Sequence, residues 1–338
     1  MISDLMFLII FKVMRKQLIF YQNNYLSWIL IQRTRKIFLN MSRIIVIGSS
    51  NTDMVVKSKK LPSPGETILG GSFLMNPGGK GANQAVAAAR LNGNVTFVTK
   101  TGNDLFGEQS LHLFEKEGID TRFIVKDPAS PSGVALITVD EYGENCIVVA
   151  PGSNGTLSAY DIDDEVYMTV KDDVFLMQLE IPLSTVEFVA EKAAGRGNRI
   201  ILNPAPARQL SNELLSALFL IIPNEVEAEI LTGIKVTDTL SAEKAAEKLM
   251  QKGVRNVVIT MGAAGAYLLS ESVSKMVPVV PVKAVDSTAA GDVFSGALAV
   301  AISEGKELEE AVIFANKAAS ISVTRMGAQA SAPYRNEL

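Results

Sequence analysis

The sequence predicts an α/β protein, a three-layer α/β/α sandwich with a mostly parallel central sheet and a small antiparallel β lid. Three observations carry this. From Arg43 onward, short apolar runs alternate with longer helical patterns, as in a parallel sheet covered by helices on both faces. Two hairpin-like segments interrupt that alternation. The composition, 48% hydrophobic and 20% charged over 338 residues, supplies a large globular core.

In chain order, residues 1–40 do not match the rest of the chain. The run "LMFLIIFKVM" is broken by Lys12, with Arg15 and Lys16 close behind, well short of the roughly 20 apolar residues a spanning helix needs. "YLSWILI" is shorter still, and it leads into no small-residue cleavage site of a signal peptide. The segment reads as an extension outside the fold, consistent with a misassigned start; an interfacial anchor is the alternative, because it is both basic and apolar. Met41 opens "MSRIIVIGSSNTD", the start of a domain covering 41–338. "IIVIG", "VTFVT", "VFLMQ", "RIILN", "LFLII" and "NVVIT" each read as a strand buried on both faces. Lid strands are expected within about 52–76, where Pro and Gly punctuate "MVVKSKKLPSPGETILGGSFLM", and within about 131–150, where two alternating runs flank a Glu-Tyr-Gly-Glu turn.

Six Lys and Arg against one Asp in residues 1–40 leave the remainder strongly acidic, although the whole chain carries a formal charge of −4. With no basic cluster in that body, a nucleic-acid partner is not expected. One cysteine, Cys146, and one histidine, His112, exclude an internal disulfide and the usual zinc sites and point to a reducing, cytoplasmic compartment. Cys146 reads as a buried strand residue, and His112 as a helix residue without a chemical role. Neither a GxGxxG after the first strand nor a GxxxxGK[ST] occurs, so the dinucleotide and P-loop readings lose their main support.

Ligands of such folds bind at the carboxyl ends of the parallel strands, where Asn51, Asp53, Glu180, Asn203, Asn224, Thr260 and Gly262 fall. "NPGGKGANQAVAAARL" (76–91) reads either as a Gly-rich turn feeding a tightly packed helix or as a loop in close approach to a small polar ligand such as a sugar, with Lys80 and Asn83 donating. Asn224 and Glu227 in "PNEVEAE" match a helix capping box, and their place at a strand end keeps a phosphate or magnesium role open. "TMGAAGAYLL" (260–269) is a plain turn or a nucleotide loop. In "VDSTAAGDVFSGAL" (285–298), a helix starting near Gly291 makes the N–H groups of Ala289, Ala290, Gly291 and Asp292 an anion site. Asp292 at its rim then has the position of a base for an attacking hydroxyl, and a weak base suffices for the loose transition state of phosphoryl transfer.

The stretches "GGKGANQAVAAAR" and "VDSTAAGDVFSGAL", with "NTD" before them, "MQLE", "NPAPAR" and "PNEVEAE" between them and "VTRMGAQ" after them, resemble the signatures of the PfkB-type carbohydrate kinase family over about Arg43 to Tyr334. The resemblance implies an ATP-dependent phosphorylation of D-ribose at O5, with Asp292 as catalytic base beside Gly291, Ala290 and Ala289. It implies that Asn51, Thr52, Asp53, the loop Gly79, Lys80, Gly81, Ala82 and Asn83, and Glu180 meet the sugar. It places ATP against Asn224, the loop Thr260, Met261, Gly262, Ala263, Ala264 and Gly265, then Gly291 and Asn316. K⁺ is implied at Asp286, Thr288, Ser322, Arg325, Gly327 and Ser331, partly through carbonyls. Mg²⁺ is implied on the phosphates with Glu227 acting indirectly, and a homodimer through the lid. The signature departs from the family in reading Asp-Val-Phe-Ser-Gly after Gly291, next to the base but not at it. The rival readings are a kinase of the same family for deoxyribose, a hexose or a nucleoside, and a non-catalytic sugar-binding regulator; the intact Gly-Asp pair speaks against the regulator.

Overall fold

Strand β1 (Ile44–Ile47) sets the layering. Successive strand side chains point to opposite faces, so Ile44 and Val46 enter one apolar core while Ile45 and Ile47 enter the other. The structure, a computed structural model, describes residues 42–338; the extension expected at 1–40 lies outside the described residues. On either side of β1 run β4 (Val95–Gly102) and β8 (Val174–Met177), both parallel to it. Beyond them lie β5 (Ile124–Asp127) on one flank and β9 (Arg199–Leu202), β10 (Leu220–Ile221) and β11 (Val257–Thr260) on the other, all parallel. Two more strands absent, like β5, from the expected set, β12 (Ala266–Leu269) and β13 (Ser274–Val277), close the sheet antiparallel, in the order β13-β12-β11-β10-β9-β8-β1-β4-β5.

One core is roofed by α1 (Lys80–Arg90), α2 (Leu105–Lys116), α7 (Ala290–Ser303) and α8 (Leu308–Ser322). The other lies under α3 (Leu183–Ala194), α4 (Asn212–Ala217), α5 (Glu225–Thr232) and α6 (Thr239–Gln251). Helix α1 reaches the sheet closely because its first turn carries no side chain where it meets the chain leaving β1. A Cβ on Gly81 would stand 2.6 Å from the Gly48 carbonyl carbon, and one on Gly48 would stand 2.8 Å from the Gly81 Cα. Gly79, just before the helix, has φ 89°, which a residue with a Cβ adopts only under strain.

The lid is a four-stranded sheet in the order β3-β2-β6-β7, built from β2 (Asn51–Lys57), β3 (Phe73–Gly78), β6 (Gly133–Val139) and β7 (Asn145–Ala150). Its outer pairs, β2 with β3 and β6 with β7, are antiparallel, whereas β2 and β6 at its centre run parallel. Only the buried link Gly48–Ser50 separates β1 from β2. Asn154 grips that link, accepting from Ser50 N–H at 2.9 Å and donating to Ser50 O at 3.0 Å. Cys146 is in a strand as expected but is exposed, not buried, because β7 is an edge strand of the lid and not of the core sheet. His112 lies on α2.

Candidate active site

Helix α7 begins at Ala290 with Ala289 as its N-cap in the left-handed region, φ 59°. That conformation costs a residue with a Cβ about 1–2 kcal/mol, and it leads the irregular segment before it into the helix. The N–H groups of Ala289, Gly291 and Asp292 donate to no protein group among the described residues, whereas that of Ala290 is used, at 3.2 Å from Ser287 O. Three of the four amides expected to form an anion site are therefore unpaired, whereas Ala290 contributes geometry and not a donor. Asp292, in the first helical turn, is 5% exposed. Its Oδ2 accepts from Asn83 Nδ2 and its Oδ1 from Gln84 Nε2, both at 2.9 Å. Asp292 pulls the Lys80 ammonium above its ordinary range, with Glu180 and Glu227 adding to the effect and burial opposing it.

The N-terminus of α1 is capped from inside the protein. Lys80 N–H donates to Glu180 Oε2 at 3.0 Å, Gly81 N–H to Ser49 Oγ at 3.4 Å, Ala82 N–H to Ser49 O at 2.9 Å, and Asn83 N–H to Gly79 O at 2.9 Å. The amides of 80–83 are thus not free for a ligand, and Ala82 is a core residue; the groups left for one are the side chains of Lys80 and Asn83. Glu180 also accepts from Ser49 Oγ at 2.5 Å through the same Oε2, which leaves its Oε1 available. Asn51 and Asp53 share one face of β2, whereas Thr52 turns its side chain to the other by the two-residue period; only its backbone stays near the expected site. Asn51 Oδ1 accepts from Asn154 Nδ2 at 2.8 Å. A Cβ on Gly78, the residue paired with Asn51, would stand 2.3 Å from either Asp53 carboxylate oxygen. Burial, then the charges of Glu180 and Asp292, push the Asp53 carboxyl up to about 6.

Two adjoining cavities meet at the start of α7. The smaller, about 190 Å³, is walled by Lys80, Asn203, Asn224, Glu227 and Ala289–Asp292. The larger, about 450 Å³, takes Asn224, Thr260, Gly262, Ala263, Gly265, Gly291 and Asn316 from the expected nucleotide set. Two of that set drop out. Met261 joins the apolar core, its N–H closing the turn on Gly265 O at 2.8 Å, and Ala264 is exposed outside the cavity wall. Sequence reasoning misses the apolar wall built by Val279, Val280, Pro281 and Val282, a loop with no motif in it. Asn316 donates to Val277 O at 3.0 Å and so anchors that wall. Asn224 and Glu227 form the reciprocal capping box on α5 and also line the cavity, so capping does not remove them from it. Burial raises the Glu227 carboxyl above its ordinary range.

Asp286 draws the turn before α7 and the segment after α8 together. Its Oδ1 accepts from Thr288 N–H at 2.9 Å and its Oδ2 from Gly327 N–H at 2.8 Å. The carbonyls of Asp286, Thr288, Arg325 and Gly327 accept no hydrogen bond among the described residues, and unpaired carbonyl oxygens beside a carboxylate are the donors a hard cation takes. The Ser322 carbonyl accepts from Arg325 N–H at 3.0 Å, Arg325 pairs through its guanidinium with Glu337, and buried Ser331 donates to Ala328 O at 2.8 Å. None of the three side chains is tied to Asp286, so the expected set is only partly assembled. Among the described residues no cluster of three or more His, Cys, Asp or Glu is placed to hold a metal.

The profile described as pfkB family carbohydrate kinase matches residues 41–335. The chain is 45% identical to ribokinase of Haemophilus influenzae over 87% of its own length and 96% of the relative's. It is 39% identical to deoxyribokinase of Salmonella typhi over 86% and 95%. The solved structure of Arabidopsis thaliana ribokinase complexed with ribose and ATP superposes with a TM-score of 0.82 at 32% identity, covering 88% of this chain and 97% of that one.

Proposed function

Because the chain belongs to the pfkB family of carbohydrate kinases, we propose that residues 41–338 form a ribokinase domain transferring the γ-phosphoryl group of ATP to O5 of D-ribose, giving D-ribose 5-phosphate and ADP. The observation that carries the reading is the buried Asp292 carboxylate, held by Asn83 and Gln84 at the point where free helix N–H groups open into two cavities. Sugar hydroxyls meet Asp53, Asn51, Glu180 Oε1 and the Lys80 and Asn83 side chains, which brings O5 to Asp292. Asp292 takes the hydroxyl proton as phosphoryl transfer proceeds; the loose transition state asks little of the base beyond position. Gly291 and Asp292 N–H at the α7 N-terminus, with the Lys80 ammonium, stabilise the charge on the transferred group. The larger cavity takes the nucleoside of ATP, its apolar wall covering the base.

Mg²⁺, when bound, would supply charge neutralisation for the phosphates; Glu227, whose carboxylate already accepts from Asn224 N–H at 2.9 Å, would act on it only indirectly. K⁺ fits beside the turn, where Asp286 and the unpaired carbonyls of Thr288 and Gly327 would hold it and fix the donors of the anion site. The lid supports self-association. The strand face opposite Asp53 carries Met54, Val56, Phe73, Met75, Leu136 and Val148 by register, and Phe73, Leu136 and Val148 are 57%, 53% and 62% exposed. A second copy of the chain is the proposed partner, in the cytoplasm, and among the described residues no helix is long and apolar enough to cross a membrane.

Deoxyribokinase activity is the second reading, favoured by the relative at 39% identity. ADP release measured with ATP and a panel of ribose, 2-deoxyribose, fructose and adenosine separates the two. Ribose should give the highest kcat/KM; a higher value with 2-deoxyribose would reverse the assignment, and no turnover with any sugar would leave the binding-protein reading.

A further inference from the structure

Behind Asp292 lies a buried chain of amides that the proposed reaction does not use. Gln84 and Gln178 are both 0% exposed, and Asn203 is 8% exposed. Gln84 Nε2 donates twice, to Asp292 Oδ1 at 2.9 Å and to Asn203 Oδ1 at 3.0 Å. Its Oε1 accepts from Gln178 Nε2 at 2.6 Å, and Asn203 Nδ2 donates to the Ile222 carbonyl at 3.0 Å.

The direction of this chain is set by a backbone carbonyl. Ile222 O holds Asn203 with its Oδ1 toward Gln84, and a reversed Gln84 amide would then press its oxygen against two acceptors, Asn203 Oδ1 and Asp292 Oδ1; Gln178, whose own Oε1 has no partner, follows whichever way Gln84 faces. Unpaired buried polar groups of this kind are strongly disfavoured. Asn83, the other ligand of the carboxylate, has no such constraint, because its buried Oδ1 has no partner. Of the two groups that hold Asp292, one takes its direction from the carboxylate alone and the other from the protein around it.

We infer that Gln84, oriented by Asn203 and the Ile222 carbonyl behind it, is the positioning residue that fixes the plane of the Asp292 carboxylate for proton transfer. The three amides come from α1 and from the ends of β8 and β9, so the carboxylate on α7 is referenced to the central sheet and not only to its own helix. Misplacing a reacting group by about 1 Å costs on the order of 10² in rate. The inference rests on the reading of Asp292 as general base.

A double-mutant cycle in kcat, at saturating ribose and ATP, tests it. Gln84→Met is expected to lower kcat by about 10- to 100-fold, with both KM values within about threefold. If Gln84 acts through Asp292, the double variant Gln84→Met with Asp292→Asn loses no more than Asp292→Asn alone; losses that multiply would overturn the inference. Should Gln84→Met not fold, the near-isosteric Gln84→Glu replaces it. Its new carboxyl can donate to Asp292 only when protonated, so kcat relative to the unsubstituted protein should rise as pH is lowered, and a ratio flat with pH overturns the role. Asp292→Asn measured alone keeps the two ideas apart. A kcat left within about threefold there defeats the base reading and this inference with it, whereas a large loss there with additive behaviour in the cycle defeats the inference alone.

Discussion

Asp292 is buried and Asp53 half-buried beside it and Glu180, yet the two acids have different consequences. The folded Asp53 carboxyl sits at about 6 against an ordinary value of 3.8, so the fold favours its protonated form. That preference is complete below about pH 4 and is lost as pH rises through about 6, above which the ionised group weighs against folding. Asp53→Asn should therefore stabilise the ligand-free protein near pH 7 by on the order of 2 kcal/mol in urea unfolding, a gain that vanishes below about pH 4. The same titration predicts that the ribose KM of the unsubstituted enzyme climbs as pH falls through about 6, since a protonated carboxyl accepts hydroxyl protons less well; KM measured from pH 5 to 8 checks this. For Asp292→Asn the expectation is a kcat lower by about 10² to 10⁴ with both KM values changed less than about threefold. Unfolding should be nearly unaltered, because Asn83 can reverse its amide to accept from the new one. Steady-state kinetics on the folded variant decides it.

Among the elements, the turn into α7 depends on Asp286, whose two carboxylate oxygens hold the N–H groups of Thr288 and Gly327. Asp286→Ala frees both and is expected to abolish stimulation by K⁺ over Na⁺, with a loss of about 1–3 kcal/mol in stability; initial rates in the two salts and thermal unfolding are the measurements. Legibility followed burial. β1, β8, β9 and β11 stood out because both faces are apolar, and the lid hairpin because its runs alternate around a turn. β5 was hidden because its residues are partly exposed at the sheet edge, β13 because it is mostly exposed, and β12, though buried throughout, because it follows directly on a Gly-rich turn. The two signature stretches exposed Asp292, Lys80 and Asn83 from residue order alone. Gln84, Gln178, Asn154 and Ser49 left no trace in the sequence. Each is a polar residue inside an ordinary helix, strand end or loop, and it acquires meaning only from the partner that the fold brings to it.

At the scale of the molecule, the lid presents an apolar outer face while its inner face carries Asp53. Leu136→Lys combined with Val148→Lys should give a monomer by sedimentation while circular dichroism stays unchanged; an unaltered sedimentation coefficient would show that copies meet elsewhere or not at all. The strand that bears both faces is rooted in the core sheet through the short buried link that Asn154 grips, so it has little freedom to adjust one face without the other. If copies associate through the lid as proposed, pinning its outer face should also steady Asp53 near the root. Catalytic efficiency should then depend on how much enzyme is present: in a dilution series, activity per molecule is expected to decline as the copies part, and first at low ribose, where the grip on the sugar limits the rate.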